Sequence, residues 1–306
     1  MCYSPIVLFV YNRPWHTLQT IEALKQNLFA LESDLIIYSD APKNKTDQLQ
    51  VEEVRSYIRQ IAGFKSVDVI ERETNWGLAN SIIDGVTHII NKYGKIIVLE
   101  DDIVTSPYFL KFMNDALTFY EREKTVWHIS GWNYPIKTEG LEDTFLWRVM
   151  NCWGWATWAD RWKYFERNVD KTFMEFSAVD INRLNLDGHN DSWSQLVANK
   201  DGRLNTWAIF WYTTIFRHNG LCLNPAKSFV KNIGLDGSGQ NCGIQNVSNG
   251  GLCIGYPIIF TKSLLESKIH VDKIKKYLKS NSHKNLVFLF AEVFRRILSS
   301  IQRLFG

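Results

Sequence analysis

The stretch Lys95-Ile96-Ile97-Val98-Leu99-Glu100-Asp101-Asp102 joins a short apolar run to three consecutive acids. Ile96, Ile97 and Val98 are β-formers and no turn residue interrupts them, so the run predicts a buried strand. Ser106-Pro107 follows, with Phe109, Leu110, Met113, Leu117 and Tyr120 recurring at helical spacing. Ser106 as N-cap and Pro107 as first residue predict a helix over 107–123 with one buried face. Three adjacent carboxylates repel one another where strand meets loop unless a cation neutralises them. Mg²⁺ and Mn²⁺ choose carboxylate oxygens and fill their remaining positions with water or substrate phosphates. The triplet therefore reads as a metal-plus-diphosphate site, or as an acidic turn favouring a nearby helix N-terminus.

The same alternation extends outward. Further strands are predicted at Ile6–Tyr11, Leu35–Ser39, Val67–Glu71 and Val126–Ser130, with helical patterns at Trp15–Asn27, Asp47–Ala62 and Leu78–Asn91. Strand and helix in turn imply an α/β fold, a Rossmann-like and mainly parallel sheet flanked by helices. Ligands in such sheets sit beyond the carboxyl ends of the strands. That rule singles out Asn12-Arg13, Asp40, the stretch from Glu73 to Asn80, and the triplet. The loop Asn75-Trp76-Gly77-Leu78-Ala79-Asn80 lacks the glycine spacing of a dinucleotide site. Its Gly77 allows close backbone approach, and Asn75 and Asn80 are candidate ligand contacts.

Beyond residue 130 the composition turns aromatic, with most of the chain's 12 Trp, and a glycine-rich stretch runs from Gly234 to Gly255. No repeat or low-complexity linker divides the chain. One catalytic domain over 1–260 is expected, comprising a strand-helix half (1–130) and an aromatic-rich half (131–260), followed by a basic amphipathic helical tail over 261–306. The tail's Asn285–Phe305 segment is interrupted by Glu292, Arg295, Arg296 and Arg303, too charged to span a bilayer. With Lys273, Lys275, Lys276 and Lys279 upstream it suits a membrane surface or docking on protein. A net charge of +3 gives no footing for nucleic acid. The five Cys form no CxxC, and no apolar leader with a basic start opens the chain, so a cytoplasmic protein, peripheral on the inner membrane, is expected.

Pro5–Arg13, Tyr38-Ser39-Asp40, Val98–Asp102 with Ser106–Phe109, and Ile129–Asn133 occur in an order that resembles the GT-A nucleotide-sugar transferases. The likeness is to the N-acetylglucosaminyltransferase I type and its bacterial relatives, over about residues 4–245. It implies an inverting, metal-dependent glycosyltransferase using Mn²⁺ or Mg²⁺ and a nucleotide-diphospho-sugar, in the first place a UDP-sugar. The acceptor would be a glycan or lipid-linked glycan, as in bacterial surface polysaccharide synthesis. On the same resemblance Arg13 meets donor phosphate or base, Asp40 a uracil-like edge, Glu100 and Asp101 ribose and sugar, and Asp102 the metal. Trp132 and Asn133 fall on the acceptor side. The acidic pair that supplies the eukaryotic enzymes' base is missing at Trp207-Ala208-Ile209-Phe210, which leaves Asp236, then Asp160 and Asp191, as candidate bases. That gap also keeps open a non-catalytic carbohydrate-binding or scaffold protein on the same fold. A sugar nucleotidyltransferase shares the sheet and acids, but Val10–Pro14 lacks its glycine-rich triphosphate loop.

Overall fold

The computed structural model describes residues 3–239 and 251–281. The chain begins with β1 (Ile6–Val10), α1 (Pro14–Lys25), β2 (Asp34–Ser39), α2 (Gln48–Ile58), β3 (Ser66–Glu71), α3 (Leu78–Tyr93) and β4 (Lys95–Glu100). A short β5 (Ile103–Thr105), α4 (Phe109–Phe119) and β6 (Val126–Ser130) complete the first half. The four earlier strands and β6 fall where hydrophobic patterning places them. α4 starts later than its sequence suggests. Ser106 forms a turn instead of an N-cap, its Oγ accepting from the Tyr108 amide at 3.3 Å. The Asn27 side chain, brought in from the end of α1, accepts from the Leu110 amide at 3.0 Å and so caps the helix from a distance.

The second half holds β7 (Thr144–Trp147), β8 (Trp155–Trp158), α5 (Ala159–Trp162), α6 (Val169–Glu175), α7 (Ala178–Leu184), α8 (Trp193–Lys200), α9 (Ala208–Arg217), β9 (Leu221–Pro225) and β10 (Val230–Asn232). One eight-stranded sheet runs β3-β2-β1-β4-β8-β6-β9-β7, and β10 pairs with β5 in a two-stranded sheet beside it. The β3-β2-β1-β4 block is wholly parallel. From β8 onward the sheet is mixed, with β8 antiparallel to both β4 and β6. The architecture is thus α/β, flanked by helices and parallel in its first half.

The unbroken apolar strands follow from burial on both faces. Val7, Phe9, Ile36, Tyr38, Ile96 and Val98 enter one core, under α3. Their neighbours Ile6, Leu8, Leu35, Ile37, Ile97 and Leu99 enter the other, with α1, α2 and α4. Successive strand residues point to opposite faces, so each strand must be apolar throughout.

Aromatics fill the second half. Trp147, Trp155 and Trp211 are fully buried. Trp155 stacks on Trp207 at 5.0 Å, and Trp162 stacks on Phe165 at 4.5 Å. Residues 251–267 run without helix or strand, and 268–281 are helical. Val271 and Ile274 bury into the core, and His270 stacks on Phe145 at 4.2 Å. Lys273 donates to the carbonyls of Lys137 and Glu139, and Lys275 pairs with Asp187. This first part of the tail therefore grips the domain. The Asn285–Phe305 segment lies outside the described residues. Among those described, no helix is long and apolar enough to cross a membrane.

Candidate functional site

Parallel register sets the site. Val10 of β1 lies beside Ser39 of β2, and Phe9 beside Glu100 of β4. Residues leaving these strands at their carboxyl ends therefore emerge on one edge. They line an open cleft of about 780 Å³ that includes Tyr11, Asn12, Arg13, Asp40, Asn75, Gly77 and the acidic triplet.

Arg13 is the hub. Its guanidinium forks onto the Asp101 carboxylate, and its Nη2 also donates to Asp102 Oδ2 at 2.9 Å. Burial alone lowers the arginine pKa, but the two carboxylates outweigh it and hold the group charged. Arg13 Nη1 is buried without a protein partner. Thr20 Oγ1 donates to the Asp101 carbonyl at 2.8 Å, tying the triplet to α1.

Positive charge is scarce here. Burial, with Asp102 and Asp101 adding, pushes Glu100 up to about 8. Burial raises Asp101 as well, against the pull of Arg13. Neighbouring carboxylates that resist ionisation are a natural place for a cation. Among the described residues no three acid, His or Cys side chains converge on a closed metal cage. The open-sided carboxylates suit a hard divalent ion that completes its positions with phosphate and water, as Mg²⁺ and Mn²⁺ favour. Gly234 belongs to this arrangement. The Asp102 carbonyl accepts from the Ile233 amide, and a Cβ on Gly234 would lie 2.1 Å from Asp102 Oδ2 and 2.8 Å from Arg13 Nη1. Only glycine lets this backbone close over the pair.

Asp40 works chiefly on the opposite wall. It accepts the amides of Ala41 and Trp76 at 2.9 Å and of Gly77 at 2.8 Å, so most of its acceptor capacity holds the 75–77 loop. Asn75 fastens the same loop to the Ala41 carbonyl at 2.7 Å. Asn80 does not line the cleft. It is exposed on α3, bonded to the Trp76 carbonyl and to Arg167, and Ser81 one residue on faces the cleft instead. A helix turns by about 100° per residue, which is enough to exchange the two.

The candidate bases separate. Asp160 pairs with Lys124 and Arg161, just after β8. Its neighbour Trp158 lies opposite Lys95, so Asp160 sits at the amino end of β4, a strand length away from the triplet. Asp191 accepts from the Ser194 amide at the start of α8 and takes no part in the cleft. Asp236 lies beside the cleft, in the loop whose Ser238 and Gly239 form part of the wall. Hydrogen bonds from Ser238, helped by His16 Nε2 at 3.1 Å, hold it down at about 2. That makes it a weak proton acceptor in this arrangement.

A second cleft, of about 690 Å³, opens beyond β6 and includes Trp132, Asn133, Tyr134, Lys227 and Ser228. Trp132 meets Tyr134 and Trp153 edge-on, each at 4.6 Å. Asn133 is 2% exposed. It donates from its amide to Ser228 Oγ and from Nδ2 to the Ala226 carbonyl, so it shapes the wall and offers little to a ligand. A short segment joins Val230, which lines this cleft, to Gly234, which covers Asp102.

The profile of the GNT-I family matches residues 39–178, a little under half of the chain. Over that span the chain is similar to the GNT-I family. The matched span holds Asp40, the acidic triplet and Trp132-Asn133 from the motifs that carried the resemblance, and the 75–77 loop as well, whereas the Pro5–Arg13 motif and Asp236 fall outside it. No curated protein matches the sequence. Among solved structures, S. aureus TarS is similar at 18% identity and a TM-score of 0.30, over 44% of this chain and 22% of TarS. The chain thus spans about a fifth of that protein. TarS 1-349 in complex with UDP is similar at 17% identity and a TM-score of 0.30, over 42% and 34% of the two chains. The mannosyltransferase PcManGT from Pyrobaculum calidifontis, in complex with GDP-Man and Mn²⁺, is similar at 11% identity and a TM-score of 0.38, over 70% of each chain.

Several residues of the site carry no motif. Gly234 sits in a stretch that reads as glycine-rich loop, and His16, Thr20 and Ser81 read as ordinary helix residues.

Proposed function

We propose that this protein is an inverting, metal-dependent glycosyltransferase that takes a sugar from a UDP-sugar and adds it to a glycan or lipid-linked glycan, in bacterial surface polysaccharide synthesis. The observation that carries the reading is the Arg13–Asp101–Asp102 cluster at the carboxyl edge of β4, inside an open cleft, with excess acid and one unpartnered guanidinium nitrogen.

The residues would divide the work as follows. Asp102 holds Mn²⁺ or Mg²⁺, and that ion, when bound, offsets the charge of the departing nucleoside diphosphate. Arg13 Nη1 donates to a diphosphate oxygen, the pairing for which a guanidinium fork is suited. The 75–77 loop, held by Asp40 and Asn75, faces the nucleoside, and the one acceptor position left on Asp40 Oδ2 suits a base N–H. The second cleft takes the acceptor, with the edge of Trp132 as an apolar wall. Asp236 is the candidate base beside the donor cleft. It serves once Ser238 or His16 releases it, since proton transfer calls for a pKa nearer the working pH. The docked start of the tail leaves membrane contact to residues beyond 281, and a cytoplasmic, peripheral location goes with that.

Incubation with a panel of UDP-sugars and Mn²⁺, with UDP release as readout, tests the reading. The expected result is slow hydrolysis of one donor, lost in Asp102→Asn. A carbohydrate-binding or scaffold protein would release no UDP from any of them.

A further inference from the structure

Arg13 and a divalent ion meet at one carboxylate. On the reading above Asp102 takes the ion, yet its Oδ2 already accepts from Arg13 Nη2 at 2.9 Å. The guanidinium is not loosely placed. It forks onto Asp101, its side chain is 15% exposed, and the Gly234 backbone closes over it. A cation arriving at Asp102 therefore meets a fixed like charge within hydrogen-bonding range of its ligand. Arg13 Nη1, buried and unpartnered, is the counterpart of this conflict. It is a donor with no acceptor in the protein, held under Gly234 on a residue that lines the open cleft.

We propose that Arg13 is a resident counter-cation that competes with the metal for Asp102 and gives way only when a nucleoside diphosphate offers it a better acceptor. Diphosphate draws the guanidinium off Asp102, and the vacated carboxylate oxygen takes the divalent ion. Metal and nucleotide then bind with positive coupling, each raising the affinity of the other by the same factor. Arg13 acts as a positioning residue for loading, in addition to any contact with the bound donor. The proposal rests on the metal-dependent reading above.

The test measures Mn²⁺ binding to the intact protein by the spin-resonance signal of free Mn²⁺, with and without UDP and with no sugar transferred. In the wild type, UDP is expected to tighten Mn²⁺ binding by about tenfold or more. Arg13→Gln is expected to bind Mn²⁺ alone about fivefold or more tighter than the wild type, with the UDP coupling reduced to about twofold. Because removing a buried cation strains the fold, Arg13→Lys provides a second reading under the same circular-dichroism check. It keeps the charge but loses the fork, so Mn²⁺ alone should bind as in the wild type while coupling falls. Metal-alone affinity unchanged or weaker in a folded Arg13→Gln, with coupling intact, overturns this proposal and leaves the transferase reading standing. A wild type that binds no Mn²⁺ even with UDP overturns both.

Discussion

β1, β2 and β4 end in charged side chains that line an open cleft, whereas β6 and β9 end in polar groups that bond to one another. Arg13, Asp40 and the triplet belong to the first set. Asn133, Ser228 and Asn224 belong to the second. Asn224 Nδ2 donates to the Trp132 carbonyl at 2.7 Å, and Asn224 Oδ1 accepts from Trp147 Nε1 at 2.8 Å. The two halves bury comparable apolar strands. They differ in what stands at the strand ends, carboxylates and a guanidinium facing the cleft in one half and mutually bonded neutral groups in the other. Buried atoms without a partner occur in both, Arg13 Nη1 in the first and Asn151 Nδ2 and Trp155 Nε1 in the second. Charge is thus gathered at the edge of the parallel half, while aromatic packing fills the mixed half.

That contrast breaks if a change in the packed half disables chemistry, or a change in the open half unfolds the protein. Trp155→Ala removes a fully buried indole stacked on Trp207. It should lower stability by about 4 kcal/mol in urea titrations, with turnover per folded molecule preserved. Gly234→Ala should do the reverse. The added methyl forces Asp102 and Arg13 apart, and we expect turnover to fall about a hundredfold, roughly 2.7 kcal/mol of lost transition-state stabilisation, while the thermal midpoint moves only a few degrees.

His128 gives the packed half a pH signature. Burial pushes it down to about 4, and its neutral ring donates to the Asn151 carbonyl and accepts from Trp211 Nε1. An unfolded histidine takes up a proton near pH 6.5, and this buried one resists doing so until about 4. Stability from this residue is therefore complete above 6.5 and lost as pH falls toward 4, amounting to about 2 kcal/mol by pH 5. Denaturation midpoints at pH 7.5 and 5 should show the fall, and His128→Gln should flatten it. The smallest expected effect is that of Asp160→Asn, whose exposed pairing with Lys124 contributes about 1 kcal/mol or less. Its turnover should stay within about twofold of wild type, and a tenfold loss would return Asp160 to the list of bases.

The parallel half was legible because its information is local. Unbroken runs such as Ile6–Val10 can be buried only on two faces, and the topology then carries Arg13, Asp40 and Glu100 to one edge. The mixed half was not legible in order. Whether β8 inserts between β4 and β6 depends on aromatic packing among distant segments, which no periodicity encodes. The site shows the same division. Acids after a strand announce themselves, but Gly234 matters through a contact across more than a hundred residues of chain with Asp102. Asn80 and Ser81 could not be told apart without the helix phase, and Asp160 lay in an aromatic segment whose direction was unknown. Asn27 took over the capping role expected of Ser106 for a similar reason, since a side chain from another element competes on equal terms with a neighbour.

The most direct measurement is anomalous diffraction at the manganese edge from a crystal soaked with Mn²⁺ and UDP. The account predicts one strong peak against the Asp102 carboxylate, with the diphosphate on its far side and Arg13 turned from Asp102 toward phosphate. A peak elsewhere, or bound UDP with no metal beside Asp102, would contradict it.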